Sequence, residues 1–209
     1  MYKRQHLCAQ TDIPLVHLST DYVFDGTKTT PYVEIDPVAP LGVYGHTKLA
    51  GEHAVAEAGP KHIILRTAWV ISPFGHNFAK TMLRLASNRG HLNVVDDQYG
   101  TPTYAPHLAI AILRLLKHIA NSSAADIPWG IYHAAGRGEA TWCDLARTIF
   151  EISSARGGPH ATVDAITTAE YPTPAKRPMN SRLNTEKLEK TFVYIYRIGK
   201  TAPLNVCRL

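Results

Sequence analysis

The chain has 209 residues, 45% of them apolar and 19% charged, which excludes a disordered composition and leaves room for one or two packed cores. Lys and Arg number 22 against 17 Asp and Glu, a net charge of +5, but the basic residues are scattered singly, so no nucleic-acid-binding patch is expected. No apolar run is long enough to span a membrane, the three widely spaced cysteines (Cys8, Cys143, Cys207) argue against a disulfide framework, and the first ten residues lack the apolar core of a signal peptide, so a cytoplasmic protein is expected.

Nothing before residue 13 reads as a strand. Pro14 to Ser19 is a short apolar run of the kind buried in a parallel sheet. Two loops follow, Asp25 to Pro31 and Asp36 to Pro40, and then a helical pattern from Leu41 to Glu57 that stops at Gly59-Pro60. His62 to Thr67 is a second buried strand. Asn77 to Ser87 reads as a helix, Leu92 to Val95 as a short strand, and His107 to Ile119 as a strongly apolar helix ended by Asn121-Ser122-Ser123. Gly130 to His133 is a strand, and Thr141 is a helix cap for Trp142 to Ile152, with Asp144 in the first turn. Thr162 to Lys190 is Pro-rich and loop-like, with a short helix from Thr185 to Lys190. Strands alternating with helices predict an α/β protein with a Rossmann-like, doubly wound parallel sheet. Residues 6–125 are assigned to this domain, with some segments contributing to a smaller lobe, and 126–192 mostly to that lobe.

Three constellations could carry chemistry. Ser19-Thr20-Asp21 lies just past a strand, where open parallel sheets bind ligands, although Thr20 and Asp21 could equally serve only a turn. Tyr44 and Lys48 lie four residues apart, on one face of a helix. An ammonium beside a phenol favours the phenolate, which makes the pair a proton donor to a developing alkoxide. The same spacing recurs at Tyr196 and Lys200, and only the position after the strand-end hydroxyls selects the first pair. Trp69 also stands at a strand end; it could stack on a sugar or simply pack in the core. Eleven histidines show no His-Glu-x-x-His spacing and no Cys-x-x-Cys is present, so no metal site is expected. A Gly-x-Ser-x-Gly elbow is also lacking, which argues against a serine hydrolase.

Ser19 to Gly26, Pro40 to Glu52, Leu65 to Val70, Asn77 to Ala86, Asp97 to Thr103, Tyr171 to Pro178 and Asn180 to Thr185 together resemble the dTDP-4-dehydrorhamnose reductases of the extended short-chain dehydrogenase/reductase superfamily. The likeness runs from about residue 6 to residue 192. It implies reduction of the 4-keto group of dTDP-4-dehydro-β-L-rhamnose by NADPH or NADH, giving dTDP-L-rhamnose for cell-surface polysaccharide. Thr20, Tyr44 and Lys48 would then be catalytic: Tyr44 gives the proton, Lys48 holds the nicotinamide ribose, and Thr20 hydrogen-bonds the reacting oxygen. Ser19, Tyr44 and Lys48 would lie on the cofactor side, and Thr20, Asp21 and Trp69 would contact the sugar. The partner would be a dTDP-linked sugar nucleotide; a homodimer and a Mg²⁺ ion are left open, the ion without support from the residues. Two other readings are a different sugar-nucleotide reductase or epimerase of the superfamily, and a non-catalytic protein like the regulatory subunit of methionine adenosyltransferase.

The resemblance also has departures. The strand, Gly-rich turn and helix that cradle the cofactor pyrophosphate in this family have no counterpart here, so the chain is read as an N-terminally truncated fragment, inactive alone. Met1 to Gln5 resembles a translated sequencing adapter. Val193 to Lys200 would spell Gly-Leu-His-Leu-Pro-Asp-Trp-Gln if its codons were read one base out of phase. Residues 1–5 and 193–209 are therefore read as sequence artefacts, the latter by a frameshift after Phe192.

Overall fold

A computed structural model describes residues 2–192; the expectations placed on 193–209, including Tyr196, Lys200 and Cys207, lie outside the described residues. In chain order the elements are α1 (Tyr2–Gln10), β1 (Leu15–Thr20), α2 (Val43–Ala58), β2 (His62–Thr67), β3 (Val70–Ile71), α3 (Phe78–Ala86) and β4 (His91–Val95). There follow β5 (Tyr99–Gly100), β6 (Thr103–Tyr104), α4 (Ala105–Asn121), β7 (Gly130–His133), β8 (Ala140–Thr141), α5 (Trp142–Ser154), β9 (Thr162–Ile166) and α6 (Glu186–Thr191).

The strands β1, β2 and β7 form a parallel sheet in that order, with Ser19 beside Arg66 and Arg66 beside His133. Ile63, Ile64 and Leu65 of β2 are all buried, the mark of a strand covered on both faces. Successive residues point to opposite faces. Ile63 and Leu65 join a core with Leu108, Ala111 and Leu115 of α4, whereas Arg66 meets Glu52 of α2. Helices therefore lie on both sides of the sheet, which is the doubly wound arrangement.

A second core unites Met82 of α3, Leu92 and Val94 of β4, and Leu145, Ile149 and Phe150 of α5. Here β4 pairs in parallel with β9. Each unit draws on separated stretches of chain: β7 and α6 complete the main sheet, while α3 and β4 join α5 and β9. The local signals explain the helix starts. Asn77 accepts the Lys80 amide at 3.2 Å, and Thr141 and Asp144 close a reciprocal capping box on α5.

Besides the two-residue strands β3, β5, β6 and β8, which the sequence reading did not anticipate, two longer elements depart from it. The stretch 162–166, read as loop, is strand β9, because its partner β4 lies some seventy residues earlier and no local pattern announces such a pairing. Helix α1, not expected at all, is polar and packs on α2; it ends with Asp12 at φ 56° and the Ile13 amide bonded to the Cys8 carbonyl. Among the described residues, no helix is long and apolar enough to cross a membrane.

Candidate active site

The carboxyl end of β1 turns directly into a short 3₁₀ turn, Asp21–Val23. Thr20 caps it, its hydroxyl accepting the Tyr22 amide at 3.2 Å and donating to Asp21 Oδ1 at 2.9 Å. Asp21 is 3% exposed, and its Oδ2 is buried without a hydrogen-bond partner. Burial pushes its carboxyl up to about 7, an effect the Thr20 and Ser181 hydroxyls and nearby backbone amides partly oppose. Burial, and then the charge of Asp21, also raise the Tyr22 phenol, while Arg177 works against them.

Helix α2 begins against this turn. At Gly45 a Cβ would collide with the Tyr22 carbonyl oxygen and lie 2.8 Å from Pro40 Cβ, so only glycine permits the approach. The approach brings the Tyr44 ring edge-on to Tyr22 at 6.0 Å, with 57% of Tyr44 still exposed. One turn further, Lys48 Nζ donates to the Leu18 carbonyl of β1 at 2.5 Å. That bond uses one of three ammonium donors and leaves two for a ligand. The predicted pair Tyr44/Lys48 and the pair Thr20/Asp21 thus converge at one strand end.

Another turn along the same helix face, Glu52 enters the interior. Its carboxylate accepts from Arg66 Nε at 3.0 and 3.2 Å and from Arg66 Nη2 at 2.7 Å, and also from the Ser19 hydroxyl. Ser19, expected on the cofactor side, is buried and engaged in this network, on the opposite face of β1 from Thr20. The Arg66 guanidinium lies 5.1 Å from the Phe24 ring centre.

Trp69, which could stack on a sugar or pack in the core, stacks on Trp142 at 3.5 Å and 6° and is 9% exposed. Gly100 lies against the indole so closely that a Cβ there would collide with it. The residue sits at φ 42°, its carbonyl accepts the Thr103 amide at 3.1 Å, and its Nε1–H donates to Ser181 Oγ at 3.1 Å. Helix α5 brings Trp142 onto the Trp69 ring, and Phe78 backs Trp142 at 4.7 Å.

Sequence reasoning assigned no role to Glu52, Ser181, Tyr22 or Trp142. Glu52 had a signal, since it falls at i+4 from Lys48 on the Tyr44 face; Ser181 had none. The exposed phenol and the ammonium with spare donors at the end of β1 fit the ribose end of a nicotinamide dinucleotide. No Gly-rich strand–helix turn that would hold its pyrophosphate occurs among the described residues. Nor do three His, Cys, Asp or Glu side chains converge among them as a metal site would require.

Comparison with known proteins places these features in context. The RmlD substrate binding domain model matches residues 5–202. The chain is 51% identical over 180 residues to a dTDP-4-dehydrorhamnose reductase of Sinorhizobium fredii, covering 86% of this chain and 60% of that protein. It is 46% identical over 196 residues to the Escherichia coli K12 protein of the same name, covering 91% and 64%. Among solved structures, a dTDP-4-dehydrorhamnose reductase of Clostridium acetobutylicum superimposes with a TM-score of 0.82 at 37% identity, covering 91% of this chain and 64% of that one. A Bacillus anthracis enzyme of that name, solved in complex with NADP, gives 0.80 at 33% identity, covering 90% and 63%. The chain thus spans 60% to 64% of the length of these relatives.

Proposed function

This chain belongs to the RmlD substrate binding domain family, and from that premise we propose that it forms the proton-donating and sugar-binding part of an NAD(P)H-dependent dTDP-4-dehydrorhamnose reductase. The single observation that carries the reading is the meeting of Tyr44, Lys48, Thr20 and Asp21 at the carboxyl end of β1, on a chain 51% identical to a protein of that name. The dinucleotide supplies hydride when bound. In this reading the Tyr44 phenol, exposed above the strand end, gives its proton to the carbonyl oxygen of the sugar. Lys48, anchored to the Leu18 carbonyl, turns its remaining donors to the ribose diol and keeps a positive charge near the phenol. Thr20 and Asp21 hydrogen-bond the sugar, and Trp69 borders it with its edge. We place the substrate as a dTDP-linked 4-ketohexose, the product as dTDP-L-rhamnose, the compartment as the cytoplasm and the assembly as a homodimer.

The test joins to this chain the part of the Sinorhizobium fredii relative that lies outside the matched stretch. The chimera should oxidise NADPH in the presence of dTDP-4-dehydrorhamnose and yield dTDP-L-rhamnose, whereas the 209-residue chain alone should not. Tyr44→Phe in the chimera should lower kcat by about 10²-fold or more, the usual size of general acid catalysis. A folded chimera that binds both ligands without turnover, or an undiminished Tyr44→Phe rate, would defeat the proposal.

A further inference from the structure

Strands β1 and β2 end together: Thr67, the last residue of β2, is the register neighbour of Thr20, the last of β1. Ser19 and Arg66, one residue earlier, turn to Glu52 of α2. Thr20 and Thr67 therefore point to the other face, one strand spacing of about 5 Å apart. Thr20 has its hydroxyl engaged with Asp21 and the Tyr22 amide. Thr67 differs: the residue is half-buried, its Oγ1 is turned inward, and among the described residues that oxygen has no hydrogen-bond partner.

A buried hydroxyl is ordinarily bonded, so an unpaired one at the ligand-binding end of a parallel sheet calls for a reason. The segment that follows it is held firmly. Ala68 is buried, and Trp69 keeps φ 42°, a left-handed conformation that a bulky residue adopts only where its surroundings impose it. The stack on Trp142 and the bond from the Thr103 amide to the Trp69 carbonyl supply that constraint. With no partner among the described residues, the Thr67 hydroxyl is not tied to its present rotamer, and one χ1 rotation exchanges it with the methyl group. A hydroxyl in this state gains a whole hydrogen bond from a ligand, whereas one already bonded only trades partners.

We propose that Thr67 is a cofactor-contact residue: its hydroxyl hydrogen-bonds the carboxamide of the nicotinamide ring and so fixes the ring against the sugar. This rests on the reading of Lys48 as the ribose contact and of Thr20 and Tyr44 as the groups at the sugar carbonyl. A nicotinamide carries its carboxamide on the ring carbon next to the one that gives hydride, so the side chain that holds it must lie beside the residues at the reacting oxygen. Thr67 is the neighbour of Thr20 in the sheet, and a hydroxyl can donate to the carboxamide oxygen or accept from its N–H. The remaining unpaired polar atoms of this sheet are turned elsewhere. Arg66 Nη1 and His133 Nε2 lie on the face towards α2, in residues 2% and 0% exposed, and His17 Nε2 lies on that face three residues before the end of β1.

Two measurements test the contact. In the 209-residue chain, Thr67→Val exchanges only the hydroxyl for a methyl, and removing an unpaired buried hydroxyl should leave the urea midpoint unchanged or raise it. A lowered midpoint would show that the hydroxyl serves the fold, and would overturn the proposal. In the chimera with the Sinorhizobium fredii segment, binding is read by calorimetry with NADP⁺ and with the analogue whose pyridine ring carries no carboxamide. The parent chimera should bind NADP⁺ about three- to tenfold more tightly than the analogue. Thr67→Val should remove that preference by weakening NADP⁺ alone, while Thr67→Ser, which keeps the hydroxyl, should retain it. A parent without the preference, a preference unchanged in Thr67→Val, an equal loss for both ligands, or a preference lost in Thr67→Ser would each overturn the contact. A chimera that shows the preference and its loss but no turnover defeats the Tyr44 reading and leaves Thr67 in place. One that turns over yet keeps the preference in Thr67→Val does the reverse.

Discussion

Replacing Asp21 with Asn should make the protein more stable, and increasingly so as the pH rises. The carboxyl titrates near 7 in the folded chain against an ordinary value of 3.8, so between those values the folded state binds more protons than the unfolded one. Stability then falls with rising pH across that window: the penalty is absent below about 3.8, grows as the pH rises, and is complete above about 7. At 1.36 kcal/mol per pH unit the three-unit shift corresponds to about 4 kcal/mol at pH 8, of which roughly 2.5–3 kcal/mol accrues between pH 5 and pH 8. Asn keeps the size of the side chain and an acceptor for the Thr20 hydroxyl, but has no charge to bury. Urea denaturation of both proteins at closely spaced pH values measures the difference, and the slope matters rather than the offset, since any altered hydrogen bond contributes a constant. A wild-type-minus-variant difference that stays flat within about 0.5 kcal/mol from pH 5 to pH 8 would refute the reasoning. A carboxylate held at such a cost at the end of β1 is in keeping with a site selected for chemistry rather than stability.

Two further outcomes concern the support of the site. Glu52→Gln leaves the buried Arg66 guanidinium without its counter-charge and should cost about 3–5 kcal/mol, read as a lower urea midpoint; adding Arg66→Met should recover most of that, and a double variant no better than the single one would argue against an uncompensated charge as the cause. Gly45→Ala gains up to about 1 kcal/mol of helix propensity, but its Cβ meets the Tyr22 carbonyl and Pro40, so a net loss of about 1–3 kcal/mol is expected; a variant as stable as the wild type in thermal unfolding would show that α2 does not press on the turn.

Much of the main sheet is legible without coordinates because its signals are local. His62 to Thr67 and Gly130 to His133 are strands with the boundaries expected, Thr141 caps the helix it was expected to cap, and Asn77, read as the first residue of a helix, caps it. Each rests on side chains within a few residues of one another: a continuous apolar run, or a short polar side chain reaching the helix's own free amides. The Tyr44/Lys48 pair is equally local, since helical geometry alone puts positions four apart on one face. β9 and the segment around Ser181 are different. That segment, residues 179–184, is Pro-flanked and has no periodicity, and β9 alternates poorly between buried and exposed positions; both exist only because distant segments offer them hydrogen bonds.

The amino-acid sequence by itself determined the alternation of strands and helices, the face shared by Tyr44 and Lys48, the hydroxyls and carboxylate after β1, and the family likeness those motifs carry. Only the tertiary structure decided that Ser19 turns inward to Glu52 and Arg66, that Trp69 spends its face on Trp142, and that Ser181 reaches across from the far end of the described chain to meet it. The division follows from range. A pattern in sequence records which side chains a backbone element places together, whereas the environment of a buried polar or aromatic group is set by whatever remote segment desolvates it and supplies its hydrogen bonds.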